Sequence, residues 1–341
     1  MDIKSNISLT DYSTMGLGGP AKFLVESSDR FQIPRVVEWA QKQNLPIIMI
    51  GVGSNIVWSD EGYPGLVIVN KIKKYELYQE DDINYYVTVG GGENWDEVVE
   101  RTVKAGLSGI EALSLIPGTA GATPYQNVGA YGQEVSQTLT TIEAYDTQTN
   151  NFVNIPSADC EFGYRTSTFK TTNKGRYLIT SLTFHLMKMN PMPPFYSSLQ
   201  SYLEKSGISE YTPLVIRDAV IAIRSSKLPD PVLVKNCGSF FANPIISEDT
   251  FRTLQTQYPM IPHWPREDGN IKLSAAWLIE QVGYKDNHDE ETGMATWATQ
   301  PLVLVNEHAS RSSDVVRYRQ KIADSVQQKF GITMEQEPEF I

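Results

Sequence analysis

The sequence predicts a chain of mixed helix and strand divided into two or three domains. Three observations carry that expectation. The 341 residues exceed what one hydrophobic core organises, about 250–300 residues. The first third alternates segments of helical period with segments of strand character. Residues 113–132, LSLIPGTAGATPYQNVGAYG, keep neither period; irregular stretches of such length inside a domain are usually functional or disordered, and the small, apolar composition makes disorder the weaker choice.

The elements follow in order. Ser27 to Asp29 offer caps, Pro34 suits a first helical turn, and Val36, Val37 and Ala40 share one helical face before Asn44 closes the helix. Pro46–Ile50 reads as a buried strand running into Gly51–Asn55 (GVGSN), and Gly65–Val69 as a second strand. Residues 76–100 carry eight Asp or Glu and no Lys or Arg. Within them Tyr85–Val89 is a strand and Gly90–Gly92 a turn. Asn94 then caps a helix bearing Trp95, Val98, Val99 and Val103, with Glu97 three residues past the cap and Gly106 as terminator. Strands resume at 140–155 and 177–187. Pro191, Pro193 and Pro194 precede a helical region over 197–226, and a turn-rich basic segment follows at 225–244. Val315, Tyr318, Ile322, Val326 and Phe330 place a last long helix that Gly331 ends. The segment ITMEQEPEFI reads as a final strand with Glu335, Glu337 and Glu339 on one face.

Composition excludes several function classes. The formal net charge of −11 argues against broad nucleic-acid or anionic-membrane binding, which need basic surfaces. The apolar stretches 45–50 and 301–305 are strand-length, far below the roughly 20 residues of a membrane span. The two cysteines, Cys160 and Cys237, offer no disulfide framework and no thiolate zinc site. The four histidines lack metal-site spacing, so no metal is expected. MDIKSNISLTDYS has no secretory apolar core, and the expected compartment is the cytoplasm.

Four segments could carry chemistry. Gly51–Asn55 after an apolar strand admits a dinucleotide-binding turn, a backbone nest for phosphate or a plain strand-ending turn. Ile56 stands where a third glycine belongs, and VWSDEGYPG does not read as a helix. Gly118, Gly121, Gly129 and Gly132, interleaved with Ala120, Ala122 and Ala130, leave little side chain between backbone and a phosphate or flat ring. Tight packing of the loop on a sheet is the alternative. Arg165 lies among aromatics in FGYRTSTF, where residues 161–190 sum to +4, and a guanidinium there suits a carboxylate. Residues 215–240 form a second basic island of +2 with Arg217, Arg224, Lys227 and Lys235. Ser239, after Gly238, lacks the context of a hydrolase nucleophile.

Together these segments resemble the UDP-N-acetylenolpyruvoylglucosamine reductase (MurB) family, in its longer subtype with a tyrosine loop. The resemblance runs from Tyr12–Gly16 to Glu337–Glu339. It rests on GVGSN at 51–55, GGGEN at 90–94, IPGTAGATPYQNVGAYG at 116–132, FGYR at 162–165, KLPDP at 227–231, GSFFANP at 238–244 and EPE at 337–339. The long P-G-x-x-G-x-x-P-x-Q-N-x-G-A-Y-G pattern is highly specific. Tyr125 departs from it, standing where an aliphatic residue is more usual, and two residues follow Glu339.

The resemblance implies an α+β chain with an FAD-binding fold of the vanillyl-alcohol-oxidase (PCMH) type in two subdomains and an α+β substrate-binding domain. The expected boundaries are 1–74, 75–228 joined by a C-terminal strand at 330–341, and 229–329. It implies non-covalent FAD, NADPH as hydride donor, and reduction of UDP-N-acetylglucosamine enolpyruvate by a cytoplasmic, monomeric enzyme of peptidoglycan precursor synthesis. Gly51, Gly53, Ser54, Asn55, Gly118, Thr119, Gly121, Ala122, Gln126, Asn127, Gly129, Ala130 and Tyr131 would hold the cofactor. Ser239 would donate a proton, with Arg165 and Glu339 steadying the developing enolate. Tyr196, Arg224, Lys227, Asn243 and Gln300 would contact the nucleotide sugar. The competing readings are an NAD(P) dehydrogenase built on Gly51–Asn55, a flavoprotein oxidase, and a nucleotide-sugar binding protein without catalysis.

Overall fold

The computed structural model describes residues 2–341. Its contacts divide the chain into two compact units: the first holds the N-terminal residues to Ile7, Pro20–Val52 and Tyr63–Ser226, the second Ser8–Gly19, Gly53–Gly62 and Lys227–Ile341.

The first unit contains two sheets. Strands β1 (Lys4–Ser8), β2 (Pro20–Ser27), β3 (Ile47–Ile50) and β4 (Tyr63–Asn70) form one, in the order β1-β2-β4-β3, with β2 and β3 parallel to β4. Parallel neighbours on both sides explain why β4 is buried from Gly65 to Asn70, as a near-continuous apolar run. Helix α1 (Ile33–Gln41) crosses over, burying Ile33, Val36, Val37 and Ala40. Asp29 caps the turn before it through Phe31 N (2.9 Å), and Asn44 ends it at φ +53°.

The second sheet is antiparallel. It comprises β5 (Tyr75–Gln79), β6 (Asn84–Gly90), β7 (Leu139–Asp146), β8 (Asn151–Pro156) and β9 (Tyr177–Met187), ordered β8-β7-β9-β6-β5. Helix α2 (Trp95–Lys104) lays Trp95, Val98, Val99 and Val103 on Val87, Leu182 and Phe184. Asn94 caps it by accepting from Glu97 N (3.1 Å), and Gly106 turns the chain at φ +75°. The helical region at 197–226 is two helices, α3 (Ser197–Lys205) and α4 (Pro213–Lys227). They pack Leu199, Leu203, Ile216, Val220 and Ile223 together with Ala112, and Tyr131 lies against this cluster.

The second unit centres on β10 (Asn236–Ser239), β11 (His288–Asp289), β12 (Met294–Trp297) and β13 (Gln300–Asn306), ordered β10-β13-β12-β11. Leu302 and Leu304 point into a core built with α5 (Glu248–Gln257), α6 (Ala275–Gln281) and α7 (Ser312–Phe330). Met15, Leu17 and Val57 belong to this core. Asn236 N donates to Thr14 O (3.1 Å), Asn306 Nδ2 to Met15 O (3.1 Å) and Ser312 N to Asp60 Oδ1 (2.7 Å). Residues 8–19 and 53–62 therefore join the second unit, although their place in sequence assigned them to the first domain.

The C-terminal segment corrects two expectations. It does not return to residues 75–228: Glu339–Phe340 pairs in parallel with Ile56–Val57, inside the second unit. Nor is it a continuous strand. Pro338 cannot donate to a ladder, and only Glu339–Phe340 is strand. Glu335 is consequently exposed, Glu337 buried and Glu339 half-buried. The alternation that would have put all three on one face is lost.

Asp146, at the end of β7, is the best-paired carboxylate of the first unit. It is 1% exposed and accepts from Arg176 Nε (3.0 Å), Arg176 Nη2 (2.7 Å) and Gln148 N (2.9 Å). The Arg176 fork holds its carboxyl down at about 2. Since that lies below the unfolded value near 3.9, the stabilisation is complete above pH 4 and drains away as pH falls towards 2. Asp146→Asn should therefore cost about 2 kcal/mol at pH 7 and progressively less below pH 4. Denaturant titrations of both proteins between pH 7 and pH 2 measure this; a pH-independent gap would refute it.

Candidate active site

The long irregular segment is shaped by backbone pairing. Trp95 N donates to Gly118 O (3.1 Å), Ala120 N to Glu93 O (2.9 Å) and Gly121 N to Gly91 O (2.8 Å). The glycines are what let these two chains touch. A Cβ on Gly121 would sit 2.8 Å from Gly91 O, and Gly118 takes φ +135°. The side-chain-free turn at the end of β3 meets the same place, for a Cβ on Gly51 would collide with Thr119 Oγ1. Gly51, Gly118, Thr119 and Gly121 thus gather at one spot in the first unit.

Beyond Gly121 the segment turns through residues that are not glycine yet have left-handed backbone: Asn127 and Tyr131, both at φ +48°. Asn127 is buried, and its side chain braces the loop. Nδ2 donates to Glu134 (2.9 Å) and Gly163 O (3.2 Å), and Oδ1 accepts from Ser136 N (3.0 Å). That side chain serves the fold.

The bond to Gly163 draws in the turn Gly163–Thr166, whose ends pair at 3.1 Å (Gly163 N to Thr166 O). Arg165 is its third residue, at φ +56°. Its Nη2 donates to Gly129 O (3.0 Å) and its guanidinium lies 5.2 Å from the Tyr164 ring. Gly129 has no side chain to obstruct this, since a Cβ there would lie 3.3 Å from Arg165 Nη1.

The far end of the segment meets α3 and α4. The Tyr131 ring stands edge-on to Tyr196 at 6.1 Å, and its hydroxyl pairs with the half-buried Arg224. Burial raises the Tyr131 phenol and lowers the Arg224 guanidinium. Arg224 Nε has no hydrogen-bond partner. Tyr131, Tyr196 and Arg224 are thus together in the first unit.

The second unit gathers the remaining residues. Gly53, at φ +71°, would clash with Tyr12 O if it carried a Cβ; its carbonyl accepts from Thr14 N (3.2 Å), beside the buried and unpartnered Thr14 Oγ1. Ser54 and Asn55 continue this turn into the Ile56–Val57 strand. No helix begins there, so the dinucleotide-binding turn is excluded, lacking the helix N-terminus it needs. Asn55 O accepts from Glu339 N (3.0 Å), and Asn55 Nδ2 donates to Glu337 O (3.4 Å). Ser239 closes β10 opposite Val303, and the residues just after it hold the C-terminal segment: Glu337 N donates to Phe240 O (2.9 Å) and Ala242 N to Glu335 O (2.9 Å). Backbone pairing therefore sets Glu339 beside Asn55, and Glu335 and Glu337 beside the residues that follow Ser239.

Lys227 is exposed, and its carbonyl accepts from Thr299 Oγ1 (2.7 Å), which sets it beside Gln300. Gln300 Oε1 is buried without a partner. Asn243 differs from expectation in part, because its Oδ1 accepts from Ala275 N (3.0 Å) and so braces the start of α6.

Sequence reasoning missed one pair, Asp96 and Arg217. Arg217 is 6% exposed and forks onto Asp96 at 2.6 and 2.8 Å. An acid at the second position of a capped helix reads as a dipole partner, and nothing local announces its arginine. The signal was Arg217 itself, set among the apolar residues of α4.

Comparison with known proteins agrees with this geometry. Residues 21–149 match the family model described as FAD binding domain, and residues 230–341 that of the UDP-N-acetylenolpyruvoylglucosamine reductase C-terminal domain. The UDP-N-acetylenolpyruvoylglucosamine reductase of Escherichia coli O6:H1 is 37% identical over 98% of this chain and 96% of its own. That of Pasteurella multocida is 39% identical with the same coverage. The crystal structure of the reductase from Thermus caldophilus shares the fold, with a TM-score of 0.69 over 100% of this chain and 99% of that one at 24% identity. The chain belongs to the UDP-N-acetylenolpyruvoylglucosamine reductase family.

Proposed function

We propose that this chain reduces UDP-N-acetylglucosamine enolpyruvate to UDP-N-acetylmuramate with NADPH and non-covalent FAD, as a cytoplasmic monomer of peptidoglycan precursor synthesis. The observation that carries the reading within the site is Arg165. A non-glycine residue in left-handed backbone costs about 1–2 kcal/mol, and such strain concentrates where a side chain must be aimed. Here it aims a guanidinium, steadied by Gly129 O, among the residues of the family motif.

The residues fit a flavin dinucleotide. Gly51 packs on Thr119 and Gly121 on Gly91, and in this reading the loop they shape, with Gly118 and Gln126, would line the cofactor. In the second unit Gly53, Ser54 and Asn55 form a turn beside the orphaned Thr14 Oγ1. Backbone N–H groups hold phosphate without net positive charge, which accords with an acidic chain. When bound there, FAD would supply hydride chemistry, with NADPH as the source, for reduction of the enol ether at its terminal carbon.

The chain's own residues do the rest. Reduction at the terminal carbon places negative charge on the neighbouring carbon and its carboxylate. Arg165 meets the carboxylate and stabilises that charge as it develops. Ser239 Oγ gives its proton to the neighbouring carbon as general acid, which completes addition of hydride and proton across the double bond. Glu339, paired with the strand Ile56–Val57, is the carboxylate partner in this reading. Lys227 and Gln300, whose Oε1 is unpartnered, would meet the phosphates and polar groups of the nucleotide sugar.

Two measurements test these assignments. In stopped-flow traces, Ser239→Ala should leave flavin reduction by NADPH within about threefold of wild type and slow reoxidation by the enolpyruvyl substrate at least about 100-fold. Equal losses in both half-reactions would remove Ser239 from the proton-donor role, and a colourless purified protein would remove FAD. At Arg165 the glycine and alanine variants lose the same guanidinium, but only alanine keeps the strain. Arg165→Gly should accordingly be more stable than Arg165→Ala by about 1 kcal/mol in denaturant melts, with both inactive; an alanine variant as stable as the glycine variant would show that the backbone carries no strain there.

A further inference from the structure

Asp96 accepts from three donors that come from two separate pieces of the first unit. Arg217 Nη1 and Nη2 reach its two oxygens at 2.6 and 2.8 Å. Leu115 N donates to the same carboxylate at the point where the irregular segment begins. Leu115 itself stands at φ +57°, so the carboxylate fixes a strained entry. One side chain therefore ties the start of the segment to α4.

The pairing is hard to explain by stability alone. Replacing a buried ion pair by well-packed apolar groups is often neutral or stabilising, and Arg217 lies among apolar neighbours that could accommodate such a change. What the pair does supply is a fixed distance and direction, because a bidentate fork constrains both. Arg224 follows Arg217 by seven residues, two turns of helix, which puts both on one face about 10 Å apart along the axis. Rotation or sliding of α4 would carry Arg224 directly away from Tyr131. The charge of Asp96 also acts on Arg224, in addition to the direct bond with Arg217.

We propose that the Asp96–Arg217 fork is a positioning pair that sets Arg224 against Tyr131, and so governs capture of the nucleotide sugar rather than the flavin chemistry. The proposal rests on the reductase reading for the substrate. Arg224, with its Nε unpartnered, is the group delivered; Asp96 touches no reacting atom.

The test uses the full-length, FAD-loaded enzyme. Asp96→Asn preserves an oxygen for Leu115 N while removing the charge and weakening the fork, and Arg217→Lys preserves charge without the fork geometry. KM for UDP-N-acetylglucosamine enolpyruvate should rise about tenfold in Asp96→Asn and about threefold in Arg217→Lys. The rate of flavin reduction by NADPH, the flavin absorbance spectrum and kcat should stay within twofold. Calorimetric titration with UDP, a readout independent of turnover, should show weakening by similar factors. Asp96→Glu, which can restore a fork, should recover part of the loss.

Unchanged KM and UDP affinity in folded, flavin-loaded variants would overturn the proposal. So would parallel loss of both half-reactions or of flavin, since the pair would then support the fold in general. Failure of wild-type enzyme to turn over the enolpyruvyl sugar would instead overturn the reductase reading itself, and UDP affinity would still report on the pair.

Discussion

The backbone pairing of residues 90–95 with 118–121 is the constraint from which the first unit's site is built. Three hydrogen bonds, from Trp95, Ala120 and Gly121, anchor a segment that otherwise has no regular structure. The close approach demands glycine at 121, where a methyl group would press on Gly91, while a methyl group on Gly91 would strike Asn70 and Ile179 on its other side. Everything after the anchor is placed relative to it: Asn127 draws in the Gly163–Thr166 turn, that turn aims Arg165 at Gly129 O, and Tyr131 meets Arg224. The small residues that suggest a ligand loop are thus required to let the loop bind the sheet end.

The local signals in the sequence were sound guides. The helices at 33–41 and 95–104 appear with the buried faces that their residues specify, and the second with its Asn94 cap, since these depend on neighbours within one or two turns; Asp29 caps the turn before the first helix instead. The motif residues also come together as families of segments, Tyr131 with Tyr196 and Arg224, and Asn55 with Glu339. What local pattern could not supply was partnership across distance. Asp96 and Arg217 lie 121 positions apart; Asp96 alone reads as a helix-start charge, and Arg217 among apolar residues signals a buried partner without naming it.

The C-terminal segment shows a different failure of local pattern. Alternating Glu at 335, 337 and 339 reads as one wet strand face, yet Pro338 interrupts the ladder and the segment pairs with two partners in turn, first residues 240–242 and then 55–57. Asn127 and Asn243 make a similar point for side chains. Both carry amides suited to a ligand, and both are used to hold a loop or a helix start. A motif position identifies a residue that matters without saying whether it matters through the ligand or through the frame.

The segments 8–19 and 53–62 have a consequence for biogenesis. Met15, Leu17, Val57 and Trp58 are nearly fully buried, in a unit whose other strands and helices all lie beyond residue 226. During synthesis these side chains leave the ribosome long before their partners exist, at about 5–20 residues per second. They must wait exposed while the first unit folds around the loops' ends. Contacts of such sequence separation slow folding and prolong the exposure of apolar surface. The second unit therefore cannot mature as an independent C-terminal domain, and a nascent chain halted near residue 226 presents two apolar loops to chaperones rather than a finished half-enzyme.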